Sequence, residues 1–280
     1  MGQLTGRGLS VRRACVLLRV ARSAVGYPSR QAAKDAPLLR TLQRLARRHP
    51  RWGYRRIWAA LRRRGEPVNR KRVERLWRQA DLALPRRRTP KKWRTGERVA
   101  PVAQRPNAVW ASDILHERCA NGQRVRCLTV VDEYTKECLA IVVATQLSAE
   151  RVVTCLAGLV ERYGAPQYLR TDNGPEFVGH WTQTWLAAHE IVPARIAPGQ
   201  PWQNGVVESF HSRLRDECLN REWLASAAEA AVILERYRQT YNAERPHSSL
   251  GYRTPVEVRA GSETGGDTAF LPGKRVNVSL

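Results

Sequence analysis

The stretch AVWASDILHERCANGQRVRCLTVVDEYTKECLAIVVAT, residues 108–145, decides the fold class of this protein. It contains three short runs rich in β-branched and aliphatic residues, at 108–115, 126–134 and 138–145. Turn residues such as Asn121 and Gly122 separate the runs, a pattern typical of neighbouring antiparallel strands. The stretch therefore predicts the first three strands of a sheet.

Helical and strand-like segments alternate after this stretch. Ser148 is a good N-cap for a helix through Tyr163, and the short runs QYLRT and VPARI are typical of a fourth and a fifth strand. Further helices are predicted from Val206 to Leu219 and over residues 227–242. Three strands followed by alternating helices and strands predict a mixed five-stranded sheet with flanking helices, an α/β domain.

The positive charge of the chain is concentrated in its first hundred residues. The 280 residues include 48 Lys and Arg against 25 Asp and Glu, a formal net charge of +23. Residues 1–100 alone hold 29 Lys and Arg against 5 Asp and Glu. A coding bias toward arginine would enrich the whole chain, so we expect this region to contact a polyanion, most often nucleic acid.

Residues 52–82, WGYRRIWAALRRRGEPVNRKRVERLWRQADL, predict two helices joined by a short turn. Ile57 and Leu61 lie one turn apart, Gly65 ends the first helix, and Asn69 caps the second. This is the geometry of a helix-turn-helix, with an αα-hairpin carrying a solvated basic face as the alternative. The second helix would present a cluster of cations to DNA: Arg70, Lys71, Arg72 and Arg75.

Four regions follow from these patterns. We expect a basic helical DNA-binding region over 1–84, a proline- and charge-rich linker over 85–107, the α/β domain over 108–258, and a flexible tail over 259–280. The six cysteines form no C-x-x-C pair, which gives no zinc signature. No run approaches the ~20 apolar residues of a membrane span, so we expect a soluble intracellular protein.

Three carboxylates fall where such a sheet would expose them. Asp113 lies in the first strand, Asp172 follows the fourth within RTDNGPEF (170–177), and Glu208 begins the helix after the fifth. Hard cations such as Mg²⁺ prefer oxygen ligands, and two ions ~4 Å apart can hold the attacking and leaving oxygens of a phosphoryl transfer. Taken singly, each acid also fits a plain role as an exposed strand residue, a turn former or a first-turn helix charge.

The helix that begins near Glu208 adds a basic residue. Arg215 lies about two turns later and shares a helical face with Glu208 and His211. Arg215 would steer a DNA phosphate toward the carboxylates, whereas an exposed surface position is the alternative for both Arg215 and His211.

Several motifs resemble one family of proteins. DNGPEF, PGQPWQNGVVESFHSRLRDECLN and YNAERPHSSLGYRTPVE are similar to the OrfB-type transposases of bacterial insertion sequences, members of the retroviral-integrase superfamily. The segment at 52–82 resembles the helix-turn-helix of that family, and the likeness covers roughly residues 10–258. The resemblance implies a ribonuclease H-like catalytic domain in which Asp113, Asp172 and Glu208 form the DDE triad.

The same resemblance implies a mechanism and its partners. Asp113 would bridge two Mg²⁺ ions, for which Mn²⁺ would substitute, and Asp172 and Glu208 would each complete one site. Water would cut double-stranded DNA at the element ends, and the freed 3′-OH would attack target DNA. A homo-oligomer on DNA, an upstream-frame fusion partner and a place at the bacterial nucleoid in the cytoplasm are also implied. A nuclease that cuts without joining and a non-catalytic DNA-binding regulator are the alternatives.

The predicted DNA-contacting residues combine helix-turn-helix cations with polar residues near the carboxylates. They are Arg55, Arg56, Asn69, Arg70, Lys71, Arg72, Arg75, Asn173, Gln203, Asn204, His211 and Arg215.

Overall fold

The structure of the chain is a computed structural model. It describes residues 2–6, 8–22, 25, 31–85, 101–196 and 201–263. Most of the predicted linker (86–100) and most of the predicted tail (264–280) lie outside the described residues.

The described part of the first 85 residues is helical. Its elements are α1 (Gly2–Thr5), α2 (Val11–Leu17), α3 (Gln31–Arg48), α4 (Tyr54–Arg63) and α5 (Arg70–Gln79). The last three helices share a buried core in which leucines of α3 meet apolar residues of α4 and α5, among them Leu42, Leu45, Ile57, Leu61 and Leu76. Each helix contributes residues spaced three or four apart, so one apolar face per helix is buried.

The turn between α4 and α5 has the predicted chemistry. Gly65 has a φ of 79°, a left-handed conformation that glycine adopts without strain. The side-chain oxygen of Asn69 accepts a hydrogen bond of 2.8 Å from the amide of Lys71 and caps α5. The two helices of the predicted helix-turn-helix are therefore present, with boundaries close to those that the sequence indicates.

Five strands form one mixed sheet. They are β1 (Val109–Arg118), β2 (Arg124–Asp132), β3 (Cys138–Ala144), β4 (Tyr168–Thr171) and β5 (Val192–Arg195), in the spatial order β3-β2-β1-β4-β5. The pairs β1–β2 and β2–β3 are antiparallel, whereas β4 is parallel to both β1 and β5. The predicted mixed five-stranded sheet is confirmed.

Helices cover both faces of the sheet. On one face, α6 (Ala149–Tyr163), α7 (Pro175–Val178) and α8 (His180–Ala188) pack against residues such as Trp110 and Leu128. On the other face, α9 (Gly205–Leu214) and α10 (Ala227–Ala243) pack against Ala111 and Leu115. Side chains alternate along a strand, so those at even-numbered positions of β1 face α6, α7 and α8, and those at odd-numbered positions face α9 and α10.

Two segments differ in detail from what the sequence predicts. The helix predicted from Val206 to Leu219 is α9 followed by a π-helical turn over Arg215–Leu219, in which the hydrogen-bond spacing widens. The tail predicted from residue 259 instead begins with a helical segment, because α11 runs over Pro255–Glu263. No helix among the described residues is long and apolar enough to cross a bilayer.

Arginines of the helical region pair with carboxylates of the α/β domain. Arg48 contacts Glu244 at 3.0 Å and Arg63 contacts Glu257 at 2.7 Å. Arg51 bonds to Asp216, and the guanidinium of Arg56 lies 3.8 Å from Glu217. Part of the basic charge of the first region therefore holds the two parts of the chain together.

Candidate active site

The sheet register brings Asp113 and Asp172 together. In the parallel pair β1–β4, Ala111 lies opposite Arg170, so Asp113 lies opposite the position just after β4, which is Asp172. Asp113 also lies between Ala111 and Leu115, two residues that pack against α9. Asp113 therefore shares the layer of α9, the helix whose first turn carries Glu208.

The electrostatics of Asp113 reflect both burial and its acidic neighbours. Burial above all, together with the negative charges of Asp172 and Glu208, raises the pKa of Asp113 to about 6, while a hydrogen bond from the Ile114 amide acts in the opposite direction. The carboxyl oxygen accepts that amide hydrogen at 2.8 Å. Asp172 and Glu208 are thus each close enough to Asp113 to repel its carboxylate. Within the described residues, however, no three His, Cys, Asp or Glu groups lie close enough to enclose a metal ion together.

His211 lies behind Asp113 and not on the surface. Its Nδ1 is 3.6 Å from the Asp113 carboxylate, and its Nε2 is 2.8 Å from the Thr129 hydroxyl. The Thr129 hydroxyl donates its hydrogen to the backbone carbonyl of Asp113, so it must accept a hydrogen bond from Nε2–H of His211. In the neutral imidazole the proton is then on Nε2, and the lone pair of Nδ1 faces the Asp113 carboxylate. Burial, followed by the charge of Arg215, lowers the pKa of His211 to about 4.

The turn after β4 holds Asp172 through local bonds. The amide of Gly174 donates to the Asp172 carboxylate at 3.1 Å, and the side chain of Asn173 donates to the carbonyl of Ile196 at 3.1 Å. Two residues earlier, the buried guanidinium of Arg170 bonds to Glu133 at 2.7 Å. These contacts tie the end of β4 to β5 on one side and to the segment after β2 on the other.

Two of the predicted DNA contacts near the site are buried. Asn204 is 3% exposed and donates to the carbonyl of Ser112 at 3.5 Å, and His211 is 9% exposed. Both side chains are therefore enclosed by protein in this structure, and their contact with DNA stays a prediction. The local sequence predicts an open loop around Asn204 and an exposed helix face at His211. Contacts with Ser112 of β1 and Thr129 of β2, which are distant along the chain, bury both side chains. Gln203 is half-buried beside them.

Arg215 is oriented toward the end of β1. Its guanidinium contacts the carboxylate of Glu117 at 3.1 Å and the carbonyl of His116 at 3.3 Å. Its side chain remains 44% exposed. Arg215 therefore lies on the accessible side of the site, although Glu117 offsets part of its charge.

The cations predicted on the helix-turn-helix divide into two groups. Arg72 and Arg75 both pair with Asp35 of α3, and the hydrogen bond from Arg75 is the main cause that lowers the pKa of that carboxyl to about 2. Arg70 and Lys71 are exposed at the start of α5. Hence Arg72 and Arg75 stabilise the helical region, whereas Arg70 and Lys71 stay accessible to solvent.

The remaining predicted contacts on this region differ in exposure. Arg55 is exposed and donates to the Tyr54 hydroxyl at 3.2 Å. Arg56 is half-buried at the junction with the α/β domain, and Asn69 uses its side chain for the helix cap. Arg56 and Asn69 therefore do not belong to an open basic face.

Comparisons with known proteins agree with this architecture. Models of an integrase core domain match residues 103–201 and 189–255, and a model of an HTH-like domain matches residues 32–90. An uncharacterized 31.7 kDa protein of insertion element IS407 from Burkholderia multivorans is 38% identical over 90% of this chain and 91% of its own length. The transposase InsD of insertion element IS2 from Escherichia coli is 32% identical over 80% of this chain and 78% of its own length. The chain belongs to the family of insertion-element transposases.

The transposase also has a fold similar to that of one chain in a viral intasome. The simian T-cell lymphotropic virus intasome, solved by cryo-EM in complex with PP2A regulatory subunit B56 gamma, matches with a TM-score of 0.52 and 16% identity, over 76% of this chain and 74% of that one. At that identity the likeness shows the ribonuclease H-like fold alone. With its integrase core, the transposase is a polynucleotidyl transferase of a bacterial insertion sequence.

Sequence reasoning missed two residues of this region. Thr129 orients His211 from the strand next to Asp113, and its only sequence signal is a polar residue within an apolar run. Arg213 lies on α9 between His211 and Arg215, one arginine among the 48 Lys and Arg, and nothing local distinguishes it.

Proposed function

We propose that the transposase cuts DNA at the ends of its element and joins the freed 3′-OH to target DNA, with Asp113, Asp172 and Glu208 as the ligands of two Mg²⁺ ions. The observation that carries the proposal is the convergence of these three carboxylates from β1, the end of β4 and the first turn of α9. The catalytic domain over 108–258, the DNA-binding region over 1–84, a homo-oligomer on DNA and an upstream-frame partner are part of the same hypothesis.

The donor set fits a hard divalent cation. All three groups supply carboxylate oxygens, the ligands that Mg²⁺ and Mn²⁺ prefer. Burial first, and the charges of Asp172 and Glu208 after it, raise the pKa of Asp113, as expected for a buried acid that faces two others without a cation. Since the described acids do not yet enclose an ion, the carboxylates would have to move closer together around one.

The residues of the chain have separate tasks in this reaction. Asp113 is held by the sheet and by the amide of Ile114, and Asp172 by the amide of Gly174. His211 and Thr129 close the space behind it. Three carboxylates repel a phosphodiester, which can approach only when their charge is offset. Bound divalent cations would supply that offset, activate water and stabilise the negative charge of the transition state.

The experiment uses the full chain and a labelled duplex that carries the end of the element. Incubation with Mg²⁺ should give products cut at the end and joined to a second DNA, whereas Asp172→Asn should bind the duplex equally well and give neither product. Asp81→Asn is the matched control, because this carboxylate is exposed in the helical region.

Each outcome bears on one version of the hypothesis. Equal activity of Asp172→Asn would refute the assignment of metal ligands. Cleavage without joining would overturn strand transfer in favour of the nuclease alternative, and binding without any metal-dependent product would favour the regulator.

A further inference from the structure

A cavity lined by cations lies beside the candidate active site. It has a volume of about 300 Å³ and lies where α4, α9 and the segment after α10 meet. Four basic side chains line it: Arg56, Lys136, Arg213 and Arg245. We call this space the cationic cavity.

Hydroxyl groups complete the polar lining of the cationic cavity. Ser209 comes from α9, and the exposed Ser248 and Ser249 come from the HSSL part of the motif YNAERPHSSLGYRTPVE. Among the described residues that line the cavity, none is acidic. Guanidinium, ammonium and hydroxyl donors without a facing carboxylate form the donor set that a phosphate group requires.

The positive charge at the cavity is only partly neutralised. Glu217 lies behind it, and both oxygens of its carboxylate accept hydrogen bonds from Arg245, at 2.7 and 2.6 Å. Arg56 lies 3.8 Å from the same carboxylate. Burial, and then the neighbouring charge of Arg245, lower the pKa of Arg56 to about 10, because together they outweigh the attraction of Glu217. Arg213 makes no ion pair within the described part of the chain.

The aromatic residues at the cavity do not form a site for a base. Phe210 and Tyr241 pack edge to face, with ring centroids 4.9 Å apart, and both are buried. Neither ring offers an open face on which a nucleobase could stack, which distinguishes this cavity from a nucleotide-recognition pocket. The cavity is therefore suited to a phosphate and its sugar.

The cavity lies on the same helix as the proposed metal ligand Glu208. Ser209 is the next residue, about 100° further round α9, and Arg213 follows Ser209 by about one turn. A helix with its side chains is about 10 Å wide, and phosphates along a DNA strand recur about every 3.4 Å of axis, so a strand at Glu208 reaches the cavity within about three nucleotides.

We propose that the cationic cavity binds one backbone phosphate of the DNA strand that passes Glu208, and so sets which phosphodiester reaches the carboxylates. This inference rests on the proposed function, because it takes DNA as the substrate. Arg213 is the residue to test, since it is exposed on α9 and contributes nothing to the apolar core.

The test measures binding of the full chain to a labelled element-end duplex, without divalent metal, over a range of salt concentrations. Arg213→Gln should weaken binding about tenfold, as expected for the loss of one charged hydrogen bond. The salt slope, which is the steepness of the fall in log binding constant with log salt concentration, should become smaller by about 0.9. Arg162→Gln is the matched control, because it removes one exposed arginine from α6 on the opposite face of the sheet. The control should leave the slope unchanged.

A second measurement locates the phosphate. Duplexes that each carry one neutral methylphosphonate are compared with the unmodified duplex. At one position the substitution should weaken binding of the wild-type chain but cause no further loss of affinity in Arg213→Gln, because that variant already lacks the contact. Equal slopes for Arg213→Gln and Arg162→Gln, or the same methylphosphonate pattern in both, would overturn the cavity assignment. Because no metal is present, this result is independent of whether the chain cuts and joins DNA. A wild-type chain that does not bind the duplex would instead refute the proposed function.

Discussion

Replacing Glu217 by Gln should destabilise the transposase strongly, because it leaves a buried cation without its partner. Arg245 and Glu217 join the segment after α10 to the π-helical turn that follows α9. Their side chains are only 4% and 7% exposed, and two hydrogen bonds of 2.7 and 2.6 Å connect them.

The magnitude follows from burial and distance. Two unit charges about 4 Å apart attract by about 4 kcal/mol at an effective dielectric constant of 20. Removing one partner of a buried ion pair costs about 3–5 kcal/mol, and glutamine retains one acceptor oxygen, so we expect a loss of about 3 kcal/mol in the free energy of unfolding. Arg48→Gln is the control, because its pair with Glu244 is 58% and 43% exposed and is worth about 0–1 kcal/mol.

Urea unfolding followed by circular dichroism measures both variants. A third variant, Glu217→Leu with Arg245→Met, replaces the pair by apolar groups and should recover part of the stability, since the buried charge of Arg245 is removed together with its partner. Recovery stays incomplete because Arg56 loses the carboxylate that lies 3.8 Å away. The reasoning is refuted if Glu217→Gln loses no more stability than Arg48→Gln.

Two further predictions concern the active site and the helix-turn-helix. At Gly174, an added Cβ would lie 3.2 Å from the Asp172 carboxylate and 3.0 Å from Glu176, so Gly174→Ala should slow DNA cleavage about three- to tenfold through displacement of Asp172, with unchanged DNA affinity. Gly158→Ala, where nothing lies within 4 Å, is the control in the same cleavage assay, and equal rates would contradict the argument. Arg70→Gln with Lys71→Gln should lower the salt slope of DNA binding by about 1.8, whereas Arg72→Gln should mainly lower the melting temperature because Arg72 pairs with Asp35. An unchanged slope in the double variant would mean that the start of α5 does not touch phosphate.

Local patterns in the sequence determined much of this protein. The alternation of strands and helices, the caps at Asn69 and Ser148, and the turn at Asp172 all depend on neighbours a few residues away. The three carboxylates could be singled out because each has a defined place in such an element: Asp113 within β1, Asp172 directly after β4 and Glu208 in the first turn of α9.

Only the tertiary structure decided which charged and polar groups meet. Arg72 and Arg75, which the sequence predicts to contact DNA, pair with Asp35 instead. His211 faces inward to Asp113, and Arg56 and Arg213 both line the cationic cavity. A helical pattern specifies which side of a helix is apolar, but it does not specify the partner of an arginine in a chain that holds 48 Lys and Arg. Those partners lie far apart along the chain, so packing of the helical region, α9 and α10 around the sheet selects them.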